Sequence, residues 1–172
     1  MYNENKKATI NVSISDVKFS KDLSFLKTTL GSCVSVVLYP KKISTENYIC
    51  SMSHYLLPRP AGNFNLQKEK NPFKYGSILV NHQIQKMYKA GYQAKDLHAK
   101  ISGGSAMFKS KNKGLIPDIG LENVEVAKST LAQEKIPVIA TDIGGILGRS
   151  IEFDPETTML KVTIFGQDYF FI

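Results

Sequence analysis

The sequence predicts an α+β domain in which a mixed or antiparallel sheet carries helices packed against it. Two observations lead to that class. Segments rich in β-branched or alternating apolar residues outnumber segments with helical spacing, and several are joined by turns too short for a parallel crossover. A third bounds its size: 172 residues at 42% hydrophobic composition suffice for one domain with a sizeable core, so a single domain over residues 1–172 is expected. A doubly wound nucleotide fold is disfavoured.

Each element has its own signal. Ala8 to Phe19, "ATINVSISDVKF", alternates apolar Ile10, Val12 and Ile14 with polar neighbours, the period of a half-buried strand. Val34 to Tyr39 is almost continuous in β-formers, and Tyr48 to Leu57, "YICSMSHYLL", reads as a further strand; the lysine-rich turn between them predicts a hairpin. Residues 58–75 hold three prolines and no sustained period, which predicts a long loop directly after a histidine-bearing strand, a candidate lid. Val80, Ile84, Met87 and Tyr88 recur at helical spacing over 77–90, with Gly91 as the stop. Leu97 to Ile101 reads as a strand running into "SGGSAMF". A second helix over 119–134 begins at Asp118 as cap and carries Val124, Ala127 and Leu131 on one face. Beyond it come "IPVIAT", the glycine turn "DIGGILGR", a hairpin of "SIEFD" and "MLKVTIF", and the terminal "DYFFI".

The net charge of +7, from 22 basic and 15 acidic residues, favours an anionic partner. Its lysines are spread along the chain and form no basic arm, so nucleic-acid binding is not expected. The longest apolar runs fall far short of the roughly 20 residues of a membrane span and "MYNENKKATINV" lacks a signal-peptide pattern, so no membrane insertion and a cytoplasmic location are expected. There, Cys33 and Cys50 would both be free thiols.

Cys33 raises the chemical question. A cysteine in an apolar strand is ordinarily an inert small hydrophobe. Yet "LGSC" places Gly31 and Ser32 ahead of the thiol at a strand's mouth, where backbone can approach a ligand and exposed N–H groups can hold a developing oxyanion. A nucleophilic thiol needs a base. His82 and His98 read as surface or boundary residues. His54 lies on the strand expected to pair with that of Cys33, so the two meet if the register allows. Cys33, Cys50 and His54 give a metal only three ligands where structural zinc takes four, so no metal site is expected, and Cys50 reads as core.

In order and approximate spacing, "LGSCVSVVLY", "SMSHYLLP", "AKISGGSAMF", "IGLENVEVAKSTL" and "DIGGILGRSIEFDPET" resemble the chemotaxis protein CheD family, the chemoreceptor glutamine deamidases, from about Leu30 to Thr157. The resemblance implies a cysteine-hydrolase fold of that family with a β-sandwich-like core flanked by helices. By position it places the nucleophile at Cys33, the general base at His54, and an orienting threonine at Thr28 in preference to Thr29. The separation of Cys33 and His54 is longer than the family pattern, an excess that the turn over 41–47 can absorb. Gly103, Gly104, Gly144 and Gly145 match family loops, with Gly31, Ser32, Gly103 and Gly104 as the implied substrate and oxyanion loop. The implied reaction hydrolyses receptor glutamine to glutamate and ammonia, with no metal or organic cofactor. The implied partners are the cytoplasmic helices of methyl-accepting chemoreceptors and a CheC-type phosphatase, contacted in part through "GGSAMFKS". The alternative is a CheD-like adaptor in which Cys33 is inert.

Overall fold

The computed structural model describes residues 7–43, 48–62, 64–106 and 118–172. Among the described residues, ten strands form two five-stranded sheets. One sheet, here the outer sheet, has the order β1-β3-β8-β9-β10, where β1 is Thr9–Asn11, β3 Phe25–Leu30, β8 Arg149–Phe153, β9 Leu160–Ile164 and β10 Tyr169–Phe171. The central sheet has the order β2-β5-β4-β6-β7, where β2 is Asp16–Ser20, β4 Val34–Pro40, β5 Cys50–Tyr55, β6 Leu97–Gly103 and β7 Val138–Ile143. Helices α1 (Gly76–Lys89) and α2 (Ile119–Gln133) cover the other face of the central sheet. The result is a sheet–sheet–helix sandwich, an α+β fold consistent with a CheD-like domain.

That layering explains the unbroken apolar run after Cys33. A strand covered on both faces has no solvent side, so its pattern is continuous instead of alternating. Every residue of β4 and β5 is buried. Val34, Val36 and Leu38 pack under the helices with Leu79, Ile84, Val124 and Leu131. Cys33, Val37 and Tyr39 point the other way, into the space between the sheets, with Leu26, Leu30, Met52, Ile151 and Phe153.

The β4–β5 hairpin, the β8–β9 hairpin and both helices stand where the sequence predicts them. Asp118 accepts a hydrogen bond from the Leu121 N–H at 3.1 Å, the capping bond expected of it. The segment 8–19 differs: it is two strands in different sheets. Ser15, at φ +63°, turns the chain between them, so β1 runs parallel to β3 while β2 pairs antiparallel with β5. Strand β3 has no counterpart in the sequence reading, and it supplies Thr28. Strands β6 and β7 are parallel as well, with α2 between them in the chain.

Candidate active site

Strand register settles which side chains can meet. Ser35 lies directly opposite His54 in the β4–β5 ladder, and opposed residues share a face. Cys33, two positions before Ser35, points the same way, so Cys33 and His54 are diagonal neighbours on the face turned to the outer sheet. Diagonal cross-strand positions lie about 7–8 Å apart at the backbone, within reach of an imidazole.

The third residue comes from the outer sheet. On β3, Leu26, Thr28 and Leu30 face inward while Thr29 faces solvent. The Thr28 hydroxyl lies 2.8 Å from His54 Nδ1 and donates to the Val12 carbonyl at 2.7 Å. A hydroxyl has one proton, and a carbonyl can only accept. With that proton on Val12, Thr28 Oγ1 must accept from Nδ1–H. This fixes the tautomer: His54 Nε2 carries the lone pair. Among the described residues Nε2 is buried without a hydrogen-bond partner, as is the hydroxyl of Ser35 beside it.

Burial sets the charge state of both groups. It pushes the His54 imidazole below its ordinary pKa, against a smaller opposing pull from the Val12 carbonyl. It pushes the Cys33 thiol up, opposed in part by the residue's own backbone N–H. Both shifts favour the uncharged form of the group. Cys33 is buried with 8% of its surface exposed, whereas Cys50 is wholly buried and pushed to about 12.

The turn that carries Cys33 is pinned by its carbonyls. Gly31 O accepts from Ser105 N at 2.9 Å, Ser32 O from Asn123 Nδ2 at 3.0 Å, and Cys33 O from Gly104 N at 2.9 Å. With the carbonyls turned inward to these donors, the Ser32 and Cys33 N–H groups have no backbone or side-chain oxygen acceptor among the described residues. Gly104's N–H is committed to bracing Cys33. Gly103 sits at φ +113°, and a Cβ there would overlap the Cys33 carbonyl oxygen. Gly104 and Gly120 bring the post-β6 loop and the start of α2 into backbone contact: a Cβ on Gly104 would lie 2.8 Å from the Gly120 carbonyl oxygen.

Two buried residues that the sequence reading passed over hold this frame. Asn123 on α2 ties the turn to the end of β5. Arg149 on β8 is 2% exposed; it pairs with Asp142, donates to Ser105 Oγ at 3.0 Å and bonds the Gly144 carbonyl. Ser105 in turn donates to the Leu147 carbonyl at 2.7 Å. Parity could have flagged Arg149, since it shares the inward phase of Ile151 and Phe153. Gly144 and Gly145 belong to this braced loop, with Ala106 N donating to Gly145 O at 2.9 Å. Of the "GGSAMFKS" segment, residues 107–110 lie outside the described residues. The 58–75 loop is closed at its neck, where Leu56 and Leu57 N–H both donate to Lys74 O. His82 lies against Phe73 and His98 against Tyr39, both away from the Cys33 turn. No described helix is long and apolar enough to cross a membrane.

Comparison with known proteins bears on this geometry. Residues 56–164 match the family model described as CheD chemotactic sensory transduction, a segment that begins just after His54. Pairwise similarity extends further. The chain is 35% identical over 164 residues, 95% of either chain, to the probable chemoreceptor glutamine deamidase CheD of Oceanobacillus iheyensis. To the chemoreceptor glutamine deamidase CheD of Bacillus subtilis it is 38% identical over 154 residues, 89% of either chain. A probable CheD deamidase of Clostridium botulinum is 31% identical over 158 residues.

Proposed function

The chain belongs to the CheD family, and on that premise we propose that it is a chemoreceptor glutamine deamidase, one catalytic domain over residues 1–172, with Cys33 as nucleophile, His54 as general base and acid, and Thr28 orienting His54. The observation that carries the reading is the hydroxyl of Thr28 held between Val12 and Nδ1, which leaves the Nε2 lone pair free on the face shared with Cys33.

Chemistry follows from that tautomer. Nε2 takes the thiol proton as Sγ attacks the side-chain carbonyl carbon of a glutamine. The oxygen of the tetrahedral intermediate receives hydrogen bonds from the Ser32 and Cys33 N–H groups. Nε2–H then protonates the amide nitrogen, the C–N bond breaks, and ammonia leaves a thioester on Cys33. Nε2 deprotonates a water, which attacks the thioester; collapse expels the sulfur, which recovers its proton, and glutamate is released. Every step uses groups of the chain, the substrate and water.

The partner is the cytoplasmic helical region of a methyl-accepting chemoreceptor, met in the cytoplasm. Exposed Leu56, Leu121, Ile146 and Leu147 lie on segments bordering the Cys33 turn and supply an apolar rim for such a helix. The basic charge balance suits a glutamate-rich partner. A CheC-type phosphatase would share this rim through the loop after Gly103.

The test is ammonia release from receptor cytoplasmic fragments, with mass spectrometry locating each amide converted to acid. The native chain and Cys50→Ala should convert glutamine, and Cys33→Ala should not. A native chain that binds fragments without converting them would leave the adaptor reading in its place. If Cys33→Ala and Cys50→Ala behave alike, Cys33 is not the nucleophile.

A further inference from the structure

We propose that Asn123 is a positioning residue, which holds the Cys33 turn and the His54 strand at a fixed separation where their own ladder has ended. The inference rests on the Cys33–His54 reading above. The β4–β5 register runs only as far as Val34 opposite Tyr55, one residue short of each functional segment's exit. Past that rung the two backbones have no ladder bond to hold them together. The two amide hydrogens of Asn123 take over: Nδ2 donates to Ser32 O and to Leu56 O, each at 3.0 Å. Ser32 immediately precedes the nucleophile, and Leu56 follows the base by two positions.

The chemistry of the side chain fits that task and little else at this position. Both acceptors are carbonyls, so the bridging side chain must supply two donors, and the Asn123 amide nitrogen carries two N–H groups on one atom. A carboxylate would repel both, and an apolar residue would leave both unpaired. The Asn123 Oδ1 atom is buried with no partner among the described residues, an arrangement in which the donors are satisfied and the acceptor is not. The helix is locked to the same strand, because Tyr55, adjacent to His54, donates through its hydroxyl to the Asn123 backbone carbonyl at 2.6 Å. Gly120, one turn earlier, holds α2 against Gly104, whose N–H braces Cys33. Asn123 thus stands on a helix referenced to both halves of the pair.

The test compares the native chain with Asn123→Ala, Asn123→Leu, Asn123→Asp and His54→Ala, with circular dichroism confirming which variants are folded. Asn123→Leu keeps the helix packed without donors, which separates folding from positioning. Two readouts are taken: kcat and KM for receptor-fragment deamidation, and the rate at which iodoacetamide alkylates Cys33 across pH, mapped by peptide mass to exclude Cys50. A misplacement of about 1 Å between reacting groups costs on the order of 100-fold in rate. The folded Asn123 variants should lose roughly 10- to 100-fold in kcat with KM little changed, and their alkylation profiles should move to that of His54→Ala. A folded Asn123→Leu with native kcat and the native alkylation profile overturns the inference. If the native chain and His54→Ala alkylate identically, the Cys33–His54 pair itself is wrong, an outcome the Asn123 variants do not influence.

Discussion

Gly103→Ala tests whether the backbone frame around Cys33, beyond the side chains on it, sets the rate. Two costs arise at Gly103. Its φ of +113° is a conformation that alanine adopts only with strain, about 1–3 kcal/mol. The new methyl would also overlap the Cys33 carbonyl oxygen, a backbone atom with no rotamer to escape into. For that oxygen to reach ordinary nonbonded contact, the Cys33 peptide must retreat by about 1 Å. The 2.9 Å bond from Gly104 N to Cys33 O is then lost or weakened, for about a further 1 kcal/mol. Together these give about 2–4 kcal/mol of stability, or a melting temperature lower by roughly 5–15 °C in a chain of this size. That leaves the domain folded at assay temperature. Deamidation, however, should fall by on the order of 100-fold, because Cys33, the proposed nucleophile, has moved. Gly144→Ala is the matched control. Gly144 also has positive φ, at +76°, but a Cβ there meets nothing within 4 Å. It should lose about 1–2 kcal/mol to strain and keep a near-native rate. Thermal melting and ammonia release on both variants decide the matter. A native rate in Gly103→Ala, or parallel loss of rate in both, would refute the claim that the Cys33 peptide is held at a catalytic position by contact with Gly103.

Thr28→Val keeps the shape of the side chain but removes the hydroxyl that fixes His54's tautomer; kcat should fall at least 100-fold while Thr28→Ser retains most of it, measured by ammonia release. Because His54 titrates below its ordinary value, the acid limb of kcat/KM should lie below about pH 6.5, and an inflection at or above that value would contradict a base buried as neutral imidazole. The same shift bears on stability: a histidine whose folded pKa is depressed binds its proton first in the unfolded chain, so stability is full above the unfolded pKa and declines as pH falls towards the folded one. Melting should therefore drop between pH 7 and pH 5, and less so in His54→Gln. Arg149→Met leaves Asp142 without its buried partner and should cost about 3–5 kcal/mol in denaturant titration, with deamidation falling as the Ser105 and Gly144 loop loosens.

The parts of the fold that were legible in the sequence are those where local pattern and burial agree. Helix α2 shows its cap and apolar stripe, and β4 shows the continuous run of a strand covered on both faces. The strand that escaped notice, β3, is the one whose inward row reads Leu26, Thr28, Leu30: a threonine at a core-facing position breaks the apolar alternation that announces a strand. That break falls in the proposed site: the Thr28 hydroxyl sits between Val12 and His54, where a hydrogen-bonding role overrides the local rule. Ser15 misleads for a different reason. Its alternating neighbours look like one strand, and only its backbone at φ +63° sends the two halves to separate sheets. Asn123 was hidden because its partners are backbone carbonyls distant in sequence, which no spacing pattern encodes, whereas Arg149 shows itself only through its inward parity on β8.

The resting charge state of the pair determines when the nucleophile exists. Burial raises the thiol and lowers the imidazole, so the thiolate–imidazolium form is disfavoured from both sides at neutral pH. Bulk electrophiles react with the thiolate, so Cys33 should be alkylated only as fast as His54 Nε2 accepts its proton. On the proposed mechanism, proton transfer to Nε2 is completed as the C–S bond forms and negative charge passes to an oxygen received by the Ser32 and Cys33 N–H groups, so full reactivity would need a carbonyl delivered to the turn in register with those donors. This explains why so much of the buried hydrogen bonding near the site goes to fixing the backbone of residues 31–33, and so little to the sulfur itself.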